Sequence, residues 1–341
     1  MNRKEIVLEA LNHRATKPIP YHVDFTAQAL KQLIDAVKDP DIEEKIGTYL
    51  HYAQYWGWPT EIPGRSEHFL DEFGVVWNRS GADKDIGVVE NPQIPDLENS
   101  NYQFPEPDIK RLRRDIEALI ETRQDKFTFM GFGFCMFERI WSLMGMENTL
   151  MAMITNPDEL EDLFDKICDY FLRLVDIALE YDVDGIYFGD DWGQQRGLIM
   201  GPENWRKFIK PRMARLYARV KSKGKFVIQH SCGDNHEIFG DLVDIGLDCY
   251  QTFQPEIYDI TDIKQKYGKH LSIWGGVSTQ QALPRLKPKE LQEEIVRVIK
   301  ALRKDGGLII APTHALPFDV PVENILAMLE VFQNQEKFLP Y

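Results

Sequence analysis

The sequence predicts an α/β protein in which a parallel sheet closes into a barrel of about eight strand–helix units. Three observations carry that expectation. From residue 127 to residue 332, short apolar runs alternate with longer segments of helical periodicity. Polar, glycine-rich clusters directly follow five of those runs, at residues 132–139, 189–195, 230–233, 275–280 and 312–319. Barrels of this kind carry their sites at the C-terminal ends of the strands. The 341 residues, 43% hydrophobic and 28% charged, suffice for one such barrel, read as a single domain over 1–341 with N-terminal helical and hairpin additions.

Taken in order, residues 2–13 read as a helix with Ile6, Val7, Ala10 and Leu11 on one face. Residues 18–25 read as a first strand, with Tyr21, Val23 and Phe25 alternating against His22 and Asp24. Residues 26–60 read as mostly helical and carry His51, Tyr52, Tyr55, Trp56 and Trp58. A hairpin built on Gly74 is expected over 71–78, irregular surface or a lid over 81–106, and a charged helix over 107–123. Strands are then expected at 127–130, 185–188, 226–228, 248–252, 271–274 and 308–311. Helices are expected at 137–143, 146–153, 158–181, 202–222, 236–245, 260–267, 288–304 and 322–332.

Composition removes several classes of function. A formal charge of −14 argues against nucleic acid or an anionic membrane as the partner. Four scattered cysteines make no secreted disulfide frame. No apolar run approaches the roughly 20 residues of a membrane helix. The start, Met-Asn-Arg-Lys-Glu, precedes an amphipathic helix rather than an apolar signal core, so a cytoplasmic setting is expected.

The chemistry gathers at strand ends. His230 and Cys232 sit where the strand 226–228 runs out, and residues two apart there face one side. An imidazole and a thiol are two thirds of a three-ligand zinc site. His314, just past the strand 308–311, is the expected third ligand. His236 competes for that role, although it reads as the first turn of a surface helix. Asp190 and Asp191 are candidate catalytic carboxylates or turn caps, and adjacent carboxylates point different ways, so one of them should face the pocket. Asp24 faces the same pocket or caps the segment from Thr26. Phe134 and Trp192 are candidate apolar walls for a flat substrate. Glu138, Gln194 and Gln280 are candidate substrate contacts, with a buried Glu138–Arg139 ion pair and a Gln280 helix cap as the alternatives. Cys249 reads as core. Phosphate-binding glycine loops and a Gly-x-Ser-x-Gly elbow are absent.

Four motifs carry a resemblance: Phe188-Gly-Asp-Asp-Trp-Gly193, Gln229-His-Ser-Cys-Gly233, Trp274-Gly-Gly-Val-Ser-Thr-Gln280, and Ala311-Pro-Thr-His314 with Asp319-Val-Pro-Val-Glu-Asn-Ile325. With them the chain resembles the uroporphyrinogen decarboxylase superfamily, including its corrinoid-dependent methyltransferase branch, over nearly its whole length. The resemblance implies a (β/α)8 TIM barrel. True porphyrinogen decarboxylases carry an N-terminal Arg-Gln-Ala-Gly-Arg-Tyr type of segment whose arginines meet substrate carboxylates. Here Pro20-Tyr-His-Val-Asp-Phe-Thr-Ala-Gln28 contains no arginine, so decarboxylation is disfavoured.

The methyltransferase branch holds zinc by His-x-Cys and a later cysteine. His230 and Cys232 match the pair, and His314 stands in the segment of the missing cysteine. The resemblance therefore implies zinc, a small methoxy methyl donor, and a corrinoid (cobalamin) carried by a partner protein that docks at the barrel mouth. Asp234-Asn-His-Glu-Ile-Phe-Gly240 looks like a cobalamin-binding signature, but it has one residue too many before the glycine. A homodimer is compatible with this reading. The alternatives are methylcobalamin-dependent thiol methylation, uroporphyrinogen decarboxylation, a zinc hydrolase, and a barrel that binds a small molecule without chemistry.

Overall fold

The computed structural model describes residues 1–81, 86–98 and 100–339. Its frame is a seven-stranded parallel sheet. The strands are β1 (Leu50–Tyr55), β2 (Phe127–Phe132), β3 (Gly185–Gly189), β4 (Phe226–His230), β5 (Cys249–Phe253), β6 (Ser272–Val277) and β7 (Leu308–Pro312). Their order in space is their order in sequence, each parallel to the next. Parallel neighbours need crossovers, and the helices between them supply these. Every residue of β2, β3, β5, β6 and β7 is buried. That is the signature of a sheet covered on both faces.

The two sheet edges meet the same segment. Tyr21 bridges Ile310 of β7, and Phe25 bridges Leu316, both in parallel sense. His22 N donates to the Ile310 carbonyl at 3.1 Å, while Tyr49 N, just before β1, donates to the Tyr21 carbonyl at 3.1 Å. The sheet is therefore curled toward closure. The strand expected over 18–25 is reduced to these bridges, because Pro18 and Pro20 have no N–H to add to a ladder.

One expectation fails outright. Residues 26–60 are not mostly helical: Ala27–Val37 and Ile42–Ile46 are helices, but Leu50–Tyr55 is β1, paired along its length with β2. Gly74 (φ +79°) does turn a hairpin, joining His68–Leu70 to Val76–Asn78. Thr60–Glu61 and Val88–Val89 extend it to four antiparallel strands. The irregular stretch 81–106 thus holds one short strand, and its residues 82–85 and 99 lie outside the described residues.

The helix expected over 202–222 runs from Gly201 to Lys221 with a wide turn at Trp205–Ile209. Pro211 explains the turn, since it offers no N–H to the previous one. Arg212 Nη1 covers the freed carbonyls of Lys207 and Phe208 at 3.3 and 3.4 Å. Among the described residues, no helix is long and apolar enough to cross a membrane.

Candidate active site

His230 closes β4, paired in register with Gly189 of β3 and Gln251 of β5. The loops that follow β3 and β4 touch backbone to backbone. A Cβ on Gly193 would stand 2.7 Å from the Cys232 carbonyl oxygen, too close for any side chain. Asn235 Nδ2 holds the second loop from within, donating to the carbonyls of Cys232 (3.0 Å) and Gly233 (3.2 Å). Cys232 is thereby fixed two residues beyond His230, on its side.

His314 arrives from the end of β7, and the three expected ligands meet. A donor atom of each of His230, Cys232 and His314 lies within 4.8 Å of the other two. His230 Nε2 is 3.5 Å from Cys232 Sγ. The two imidazole rings are 6.1 Å apart and inclined at 67°. In a filled tetrahedral zinc site, bonds of ~2.0–2.3 Å put the donors ~3.5 Å apart. Two nitrogens and one sulfur, already this near, fit zinc with a small contraction. His236 does not join them; it is exposed and paired with Asp234 at 2.7 Å.

The two aspartates separate. Asp191 Oδ1 accepts from Cys232 N at 2.7 Å and lies 3.3 Å from His230 Nε2. Burial pushes its carboxyl up, but contact with His230 and Cys232 holds it below its ordinary value. Burial likewise draws the His230 imidazole down, yet Tyr187, Cys232 and Asp191 keep it well above its usual range. Asp190 turns away and is fully buried. Its oxygens accept the backbone N–H groups of Met136 (3.2 Å), Phe137 (2.9 Å) and Glu138 (2.8 Å) at the start of the helix Phe137–Met144. Trp192 Nε1 is a fourth donor. Burial raises Asp190 to about 6, and the donors check the rise. Its place is that of a helix cap rather than of a group facing substrate.

A cavity of about 740 Å³ opens beside the triad, lined in part by His230, His314 and Asp191. Asp24, Phe134 and Glu138 also line it, as the sequence led one to expect. Asp24 does not cap the next helix; Thr26 does, accepting from Ala29 N at 3.3 Å. Asp24 Oδ1 instead meets His22 Nε2 at 3.0 Å. Burial works against its charge, but His22 and Tyr52 keep the carboxyl below its ordinary value. Glu138 is raised well above the usual range, first by burial and then by Asp191 and Asp190. Its expected pairing with Arg139 is absent, because fully buried Arg139 pairs with fully buried Asp71 at 2.7 Å.

Three expected contacts fall outside the cavity lining. Trp192 is buried beneath it, edge-on to Trp205 at 5.3 Å. Its Nε1 is drawn to Asp190, which takes the ring inward. Gln194 and Gln280 are exposed, on a two-residue strand and in a turn. Tyr52 and Trp56, from the aromatic cluster of the first 60 residues, line the cavity. Sequence reasoning missed Tyr187, Gln251, Trp274 and Arg79, which line it too. The first three of these lie on strands. The register could have found two of them. Gln251 is paired with His230, and Tyr187 stands two before Gly189, its other neighbour.

Comparison with known proteins bears on the fold and the family. A methyltransferase from Methanosarcina mazei aligns over 98% of this chain and 99% of its own, with a TM-score of 0.73 and 18% identity. At that identity the likeness is one of fold. Uroporphyrinogen decarboxylases from Geobacillus thermodenitrificans and Bacillus cereus are 24% identical over 157 residues and 25% identical over 169. The matches span 44% and 47% of each partner, so the chain covers less than half the length of these curated relatives. The family model for uroporphyrinogen decarboxylase (URO-D) matches residues 80–335, most of the chain and every strand from β2 to β7. On that match the chain belongs to the uroporphyrinogen decarboxylase family.

Proposed function

We propose that the chain is a zinc-dependent methyltransferase. It would move a methyl group between a small methoxy substrate, aromatic or otherwise flat, and the cobalt of a corrinoid carried by a separate protein. The convergence of His230, Cys232 and His314, with both histidines lining the cavity, carries this reading. His230, Cys232 and His314 would hold the zinc with one position left open, and the ion would supply Lewis-acid chemistry to the donor oxygen there. As the methyl carbon leaves, the oxygen keeps the bonding pair and needs a proton. Glu138, which lines the same cavity and whose carboxyl is pushed up by burial and by Asp191 and Asp190, would give it. Asp191 orients the His230–Cys232 edge. Tyr52, Tyr187 and Trp274 supply the flat apolar wall. The segment through Tyr21 acts as the eighth stave of the barrel behind them.

The names of the curated relatives favour a second reading, decarboxylation of a carboxylate-rich porphyrinogen. The lining speaks against it. Asp24, Glu138 and Asp191 face the cavity, with Arg79 the arginine among the described lining residues. Methylation of a thiol, the reverse use of the same parts, remains inside the first reading.

The test is to mix the protein with a Co(I) corrinoid protein and, in turn, methoxyarenes, methylamines and thiols. Growth of the methyl-Co(III) spectrum with a methoxy donor, lost in His230→Ala, is the expected result. Carbon dioxide released from uroporphyrinogen, with no methyl transfer, would overturn the proposal.

A further inference from the structure

His230 can bind a cation through one ring nitrogen only, and the other already has a partner. Nδ1 faces Gln251 Oε1 in a close hydrogen bond. Nε2 is the nitrogen on the side of Cys232 Sγ (3.5 Å) and Asp191 Oδ1 (3.3 Å). Gln251 is itself held: Tyr187 donates its hydroxyl to the same Oε1 at 3.3 Å. An amide oxygen with a phenol donor on one side can only accept on the other. A metal-bound His230 must then keep its one proton on Nδ1, and Nε2 is the nitrogen that gives up its proton to the metal.

The backbone makes this relation rigid. Gln251 is the register partner of His230, so both side chains leave neighbouring strands on one face. Ser231 N donates to the Gln251 carbonyl at 2.8 Å and locks the strand end beside it. Gln251 is buried, so water is a poor substitute for its oxygen.

From this we infer that Gln251 is a positioning residue: it fixes which nitrogen of His230 faces the metal, with Tyr187 fixing Gln251 in turn. The inference deepens the zinc reading above and rests on it. An oxygen that orients a ligating histidine commonly contributes 10–100-fold to metal affinity.

The test uses the full chain and zinc alone, with affinity read by competition against a chromophoric chelator. Gln251→Leu removes the acceptor and should weaken zinc binding about 10–100-fold. Gln251→Glu keeps an acceptor at the same reach and should retain the wild-type affinity. The Co²⁺-substituted proteins add a second readout, since the ligand-field bands of Gln251→Glu should match the wild type. If Gln251→Leu does not fold, Gln251→Asn, which draws the acceptor back by one methylene, carries the same expectation of loss.

Wild-type affinity in Gln251→Leu would overturn the inference. So would a loss in Gln251→Glu as large as that in Gln251→Leu. A wild-type chain that binds zinc but transfers no methyl group ends the functional proposal and leaves this one standing. A wild-type chain that binds neither zinc nor Co²⁺ ends both.

Discussion

Neighbouring residues here do opposite work. Asp190 spends its oxygens on four N–H donors beneath the cavity, while Asp191 reaches the ligands themselves. The alternation of side chains at a strand end made that division readable in advance. Which of the two faces the pocket was not readable, because it depends on the helix Phe137–Met144 arriving over Asp190. Glu138 offers a sharp test at this scale. Its folded-state proton affinity lies well above the ordinary 4.5, so folding takes up a proton in the window between those values. Stability is therefore lost as pH rises from the unfolded value toward the folded one. An amide in place of this carboxyl would not titrate. The variant Glu138→Gln should accordingly gain thermal midpoint relative to wild type as pH rises above the ordinary 4.5. A difference that stays flat, or shrinks as pH rises, would show that Glu138 is ionised in the folded chain.

Among the elements, β1 was the one that stayed hidden. Leu50–Tyr55 reads Leu-His-Tyr-Ala-Gln-Tyr, with only its ends fully buried. It lacks the apolar run of β7 because Tyr52 and Gln54 face the cavity and His51 meets Thr122 outside at 3.0 Å. A strand that helps build a site forfeits the pattern that announces strands. The six later strands kept theirs, because they are buried from both sides. The small antiparallel sheet was half legible: Gly74 marked its turn, but its anchor is long-range. Asp71 accepts from Phe73 N (2.9 Å), Val75 N (3.0 Å), Trp77 Nε1 (3.0 Å) and Arg139 Nη1 (2.7 Å). Removing it strands a buried guanidinium, so Asp71→Ala should lower unfolding stability by about 3–5 kcal/mol. Urea denaturation measures this. A loss under about 1 kcal/mol, the usual size for an exposed pair, would mean that the sheet is not held through Arg139.

At the scale of the molecule, the sheet brings together residues far apart in the chain, and the site exists only through that curl. His230 and Cys232 end β4, His314 follows β7, and Gly193 and Gly233 let the intervening loops meet. The three ligands were legible because each stands directly after an apolar run. The groups that surround them were not, because a tyrosine, tryptophan or glutamine inside a strand looks the same whether it meets core or cavity. Metal content of the purified protein, measured with and without Cys232→Ser, tests the account most directly. It predicts one zinc per chain in the wild type and loss of that zinc in the variant. A wild-type chain without stoichiometric metal after zinc supplementation, or a variant that keeps it, would contradict the account.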